Sequence, residues 1–244
     1  MNKKNTGFTL VELLVVIGIL GILMAALFPA ISSAMLSANT AAMSMNGRNL
    51  FTGIVQANVD REAHGREPVW PKNKGETSGE QGEDIANQTY TDADKYFEDL
   101  FDMDNYGTST WNPYVNVDLK FLSGSGVPTY KGNKTLAGCI AWTVATDITD
   151  DMPDVIPVLV SRNLSTDEFA KQGDTETINQ TTQLKMGEQF QAPFGNKAAV
   201  IIHKGGAAGV YKGRYVTLSD IYEKQTVSFS ESAQIEYIEP TKSN

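Results

Sequence analysis

Charge is missing where a soluble chain would carry it: from Leu13 to Gly47 there is no Asp, Glu, Lys or Arg. Cysteine is almost absent as well. Cys139 stands alone, which excludes an intrachain disulfide and any multi-thiolate metal site. His64 and His203 are the two histidines, and neither a His-rich metal site nor a Cys–His nucleophile pair has a workable spacing. No Gly-x4-Gly-Lys-Ser/Thr phosphate loop occurs, and Gly205-Gly206-Ala207-Ala208-Gly209 departs from the dinucleotide fingerprint. No enzyme signature survives these absences, and a non-enzymatic role is expected. Positive charge is in deficit too. The first 58 residues hold Lys3, Lys4, Glu12 and Arg48, and the remaining body carries 17 basic and 28 acidic side chains, a balance of −11. Such a body repels nucleic-acid phosphates, so nucleic acid is not an expected partner.

What is present is one long apolar run. A helix from Phe8 to Ile31 would measure roughly 36 Å at about 1.5 Å per residue, enough for a bilayer core of about 30 Å. Lys3 and Lys4 precede it, so the N-terminus is expected to stay cytoplasmic while the body is translocated. Two other readings fit the same run. A buried core helix rarely lacks polar residues on every face. A secretory signal would be cut beyond the run, where Ser32-Ser33-Ala34 is available. Glu12 argues against the latter, since a carboxylate inside the run costs about 2.5–3.5 kcal/mol on insertion scales and implies a partner. No cation in the same helix lies within reach, so the partner is expected to come from elsewhere.

Gly7-Phe8-Thr9-Leu10-Val11-Glu12 resembles the type IV prepilin processing motif of pilins and type II secretion pseudopilins. The resemblance implies that an integral-membrane prepilin peptidase cuts after Gly7 and N-methylates Phe8. It implies that Glu12 is the assembly carboxylate, paired with the Phe8 amino group of a neighbouring subunit. Gly21 and Pro29 fall where pilin helices carry flexible positions, and Lys3 and Lys4 fit the short basic leader. The implied partners are the peptidase, other pilin-like subunits and an inner-membrane assembly platform. The implied location is single-pass in the bacterial inner membrane, with the head periplasmic or in an extracellular filament. The alternative is an exported binding or enzymatic head that is tethered and never polymerises. The likeness covers about the first 35 residues well and the next 25 weakly; it says nothing direct about the head.

Residues 1–7 therefore read as a cleaved leader, 8–58 as one long helix with its transmembrane part at about 8–31, and 59–244 as the head. Pro29 is expected to kink or loosen the helix, and Gly47 and Gly53 each lower its propensity by about 1 kcal/mol. Asp60 to Gln88 reads as loop, with Pro68-Val69-Trp70-Pro71 anchoring locally. Thr91-Asp92-Ala93-Asp94 resembles a capping box that opens a short acidic helix over 92–103. Strands are expected at 115–121, 139–145, 155–160, 198–203, 207–212, 214–218, 226–229 and 234–238. Pro157 argues for an edge position, and Gly205-Gly206 for a hairpin. The fold class is thus α+β, with an antiparallel sheet packed on the C-terminal half of the long helix. No cofactor is required. Asp147, Asp150, Asp151 and Asp154 are the calcium candidates, set against a solvated loop between two strands.

Overall fold

The computed structural model describes residues 9–72, 84–132, 135–167, 169, 183–213, 216–222 and 235–242. Helix α1 (Leu10–Ala63) is continuous and contributes to two units, residues 1–39 and 40–244. It ends at Ala63, beyond the expected stop near Asn58. In the first unit α1 passes through Pro29 without a break, and every residue from Thr9 to Met35 is exposed.

The second unit is built on a five-stranded antiparallel sheet in the order β4-β3-β2-β1-β5. The strands are β1 (Trp142–Ala145), β2 (Pro157–Ser161), β3 (Ala198–His203), β4 (Ala208–Lys212) and β5 (Tyr237–Ile238). All residues of β1, β2 and β3 are buried. That is why these strands read as continuous apolar runs rather than as alternation. The C-terminal part of α1 covers one face. A Cβ on Gly47 would stand 2.6 Å from Trp142 Cη2 and 2.7 Å from Ile202 Cγ1, so the bare backbone lets the sheet approach. Gly53 does the same for Val117, at 2.5 Å. Trp142 is fully buried, and its Nε1–H donates to the Phe121 carbonyl at 2.9 Å.

The β3–β4 hairpin forms as expected: Gly206 adopts φ +80° and donates its N–H to the His203 carbonyl at 2.8 Å. Pro157 is not on an edge strand. β2 lies between β1 and β3, and Pro157 is tolerated as its first residue, beside a register shift before Leu159. The strand expected at 115–121 is not formed. Val115 is buried and Val117 touches Gly53, so the inward alternation is real. The Asp118 side chain, however, accepts from Lys120 N–H at 2.9 Å and starts a 3-10 turn over Leu119–Leu122.

Helix α2 (Ala93–Leu100) is capped by Asp92, whose side chain accepts from Lys95 N–H. It stops before 103, and a separate 3-10 turn covers Met103–Asn105. Leu218, expected in a strand, instead begins α3 (Leu218–Ile221) behind a Thr217–Asp220 capping box. Of the expected 234–238 strand, Tyr237 and Ile238 pair with Ala145 and Val144, Ile235 and Glu236 lie before the strand, and Gln234 is outside the described residues. The 226–229 strand, the whole Asn73–Gly82 loop and residues 214–215 of the 214–218 strand lie outside the described residues. The local anchor is confirmed: Val69 and Trp70 are buried, and Val69 N–H donates to Asn58 Oδ1 at 2.8 Å.

Candidate assembly site

The first turn of α1 contains the only charged side chain in its apolar part. Thr9 is non-helical and Leu10 is the first helical residue, which makes Thr9 the N-cap and Glu12 the third helical position. Glu12 Oε2 accepts from Thr9 N–H at 2.9 Å and from the Thr9 hydroxyl at 2.7 Å, while Glu12 N–H donates to Thr9 Oγ1 at 3.3 Å. This is a reciprocal capping box. Three donors are satisfied within one turn, and the carboxylate sits at the positive end of the helix dipole. Glu12 therefore has a neutral partner at the N-cap of its own helix.

Above it, Leu13, Leu14, Ile17, Leu20, Leu27 and Phe28 are exposed by about half or more. The helix is long and apolar enough to cross a membrane, and none of its most apolar window is buried. A Cβ on Gly21 would meet nothing within 4 Å. Pro29 has no N–H to give the Ala25 carbonyl, and nearby the Ser32 hydroxyl donates to the Phe28 carbonyl at 3.1 Å. Gly7 and Phe8 lie outside the described residues.

The acidic loop in the second unit is arranged around a lysine. Lys204 Nζ donates to the carbonyls of Asp150 (2.9 Å) and Met152 (2.8 Å) and stands 4.0 Å from Asp154 Oδ1. Asp151 accepts from the Thr149 hydroxyl, which holds its carboxyl below the usual range. Asp147 sits at φ +53° and donates its N–H to the Pro71 carbonyl. Among the described residues no group of three or more His, Cys, Asp or Glu is arranged to hold a metal ion. Two clefts open nearby. One of about 660 Å³ is lined by Asp60, Arg61, Arg66, Asp99, Asp102 and Asp104 among others. The other, of about 470 Å³, includes Phe51, Trp70, Lys72, Asp150 and Lys204. Both mix opposite charges.

Residues 2–28 match the model of the prokaryotic N-terminal methylation motif. That motif is the signature of prepilin-type signals in type IV pilins and pseudopilins, and it is joined here to an α+β chain with a long N-terminal helix and an antiparallel sheet. Comparison with curated proteins and with solved structures returned no match.

Proposed function

We propose that the chain is a structural, non-enzymatic subunit of a type IV pilus-like filament or a type II secretion pseudopilus. In this reading prepilin peptidase cuts after Gly7 on the cytoplasmic side and methylates Phe8. The helix anchors the subunit with its head outside the cytoplasm, and an inner-membrane platform assembles subunits through α1. Glu12 pairs with the Phe8 amino group of a neighbour. The observation that carries the reading is the exposure of the apolar residues from Thr9 to Met35 around a single carboxylate, Glu12, which lies in the stretch that matches the methylation motif. An amine and a carboxylate brought together out of water attract far more strongly than in it. Gly21 and Pro29 serve as points of flexibility, the one without a side chain and the other without an N–H donor.

The capping box favours a rival, because it gives Glu12 work in a tether that never polymerises. Glu12→Gln separates the two. Glutamine fits the same box but carries no charge to attract an amine. The variant is expected to insert and be cleaved normally, with few cross-linked multimers in the same membranes. Parental multimer yield would sink the pairing role and leave a tethered head. Processing is tested separately by N-terminal mass spectrometry of membrane-derived protein. The expected start is methylated Phe8; a start near Met35 would mean an ordinary signal peptide.

A further inference from the structure

The cleft of about 660 Å³ has the size of a small-molecule site. Part of its wall comes from residues 101–114, a segment held by its own hydrogen bonds. Asp102 accepts from the Asn105 side-chain amide at 2.8 Å and from Asn112 N–H at 2.7 Å, and the Thr110 hydroxyl donates to Asn105 Oδ1 at 3.3 Å. Asn105, Thr110 and Asn112 line the cleft. Tyr106 and Trp111, each next in sequence to a lining residue, are 37% and 42% exposed. Their rings meet edge to face at 5.2 Å, and Tyr106 meets Tyr130 in the same way at 5.4 Å. Trp111 Nε1–H donates to the Phe101 carbonyl at 2.8 Å, which fixes the indole. Surface aromatic rings held in this way can contact a partner at little cost in entropy. We propose that this cleft, with the aromatic cluster beside it, binds a neutral oligosaccharide.

The polar groups select that ligand class. Three carboxylates of the cleft are already engaged by the protein. Glu98 accepts from the Thr135 hydroxyl and Leu136 N–H, Asp99 from the Tyr90 hydroxyl and the Lys95 ammonium, and Asp102 from Asn105 and Asn112. A divalent cation needs six or so oxygens free to turn towards it, and these are committed elsewhere. An anion is repelled by the same carboxylates. Among the described residues the guanidinium of Arg66 and the side-chain amide of Asn112 make no hydrogen bond or ion pair, and both line the cleft. Arg66 supplies donors, Asn112 supplies a donor and an acceptor, and the engaged carboxylates keep lone pairs to spare. A pyranose answers all of these, because each of its hydroxyls both donates and accepts. Its C–H face also suits the electron-rich face of an aromatic ring. Every residue involved belongs to the unit formed by residues 40–244, so the inference holds whether or not the chain polymerises.

The test is calorimetric titration of the full-length chain, solubilised in a detergent without a sugar headgroup, with cellotetraose, chitotetraose and maltotetraose. Saturable binding of at least one is expected. Tyr106→Ala, Trp111→Ala and Asn112→Ala are each expected to weaken it about tenfold, the scale of one lost anchoring contact. Trp111→Phe keeps a ring and is expected to bind more tightly than Trp111→Ala. Asn112→Ala keeps the backbone N–H that holds Asp102, so its melting temperature is expected to stay parental while its affinity falls. That separates a lost contact from a lost fold. Absence of saturable binding by all three sugars would overturn the proposal. Parental affinity in both Tyr106→Ala and Asn112→Ala would overturn it as well, since the sugar would then sit elsewhere. Spermidine and inorganic phosphate serve as charged probes. Tighter binding of either than of any sugar, weakened in Asn112→Ala, would assign the cleft to a charged ligand instead.

Discussion

Single side chains in this protein do more than their sequence neighbourhoods suggest. Thr9 was legible: Thr-x-x-Glu before an apolar run is a capping-box pattern. Lys204 was not, because Asp150 lies 54 positions away from it and no local pattern links the two. Its ammonium takes the Asp150 and Met152 carbonyls and puts a positive charge inside the acidic loop, which opposes a cation there. Millimolar calcium is therefore expected to leave the melting temperature of the detergent-solubilised chain unchanged. A rise that Asp150→Ala with Asp151→Ala abolishes would instead reveal a site. Arg61 is a third case. Buried near the end of α1, it donates to Asp84 Oδ1 at 2.7 Å and to the Glu67 carbonyl at 2.6 Å, beneath the Tyr114 ring. Arg61→Ala leaves a half-buried carboxylate and a carbonyl without their donor, at a cost of about 2–3 kcal/mol. Chemical denaturation would read this as a lower midpoint, and an unchanged midpoint would show that the pair is dispensable.

Elements were readable wherever burial alone shaped them. The apolar runs did give β1, β2 and β3, with β1 starting at Trp142 instead of Cys139 and β2 at Pro157 instead of Val155, and the glycine hairpin between β3 and β4 formed as expected, because sheet interior and turn chemistry are both local signals. Residues 115–121 alternate just as clearly and form no strand. Their alternation recorded which side chains face inward, but a ladder also needs a partner strand, and Asp118 bonded its own backbone instead. Pro157 misled because a strand's first residue needs no ladder N–H, so an interior strand accepts it there. Gly47 reads in the sequence as a weakness of α1, whereas in the fold its bare backbone lies against Trp142 and Ile202 of the sheet. This makes an opposed pair of effects testable. Gly47→Ala gains about 1 kcal/mol of helix propensity, yet its methyl would overlap Trp142 and Ile202. Overpacking in a tight core costs about 1–3 kcal/mol, and here the obstacles are a fully buried indole and a central strand. The expected net result is a melting temperature lower by about 2–6 °C. A raised melting temperature would mean that the helix can move off the sheet without loss.

At the scale of the whole head, the chain closes on itself across a buried carboxylate. Asp94, in the first turn of α2, accepts from Thr241 N–H at 2.7 Å and from the Thr241 hydroxyl, joining positions 147 residues apart. Beside it Ala93 N–H donates to the Glu239 carbonyl at 3.0 Å. Burial pushes the Asp94 carboxyl above the usual aspartate range, and the charges of Asp92 and Glu98 push it further, against the pull of the Thr241 bonds. A carboxyl with a raised folded pKa holds its proton more tightly in the native than in the unfolded chain. Its contribution to stability is therefore fully present below the unfolded value of about 3.9 and is lost as pH rises through the folded one. Other groups titrate over the same interval, Glu239 among them, so the parent's pH profile alone would not isolate Asp94. A difference does. Asp94→Asn keeps an acceptor oxygen for Thr241 and cannot ionise, while the remaining groups stay common to both proteins. Melting temperatures of the two, measured side by side from about pH 3 to 7, are expected to diverge upward through the interval. The variant should gain on the parent as the parent's carboxyl is forced to ionise. A separation that stays constant with pH would show that the buried tie carries no linked proton, and one that narrows with rising pH would show that the ionised form is the favoured partner of Thr241.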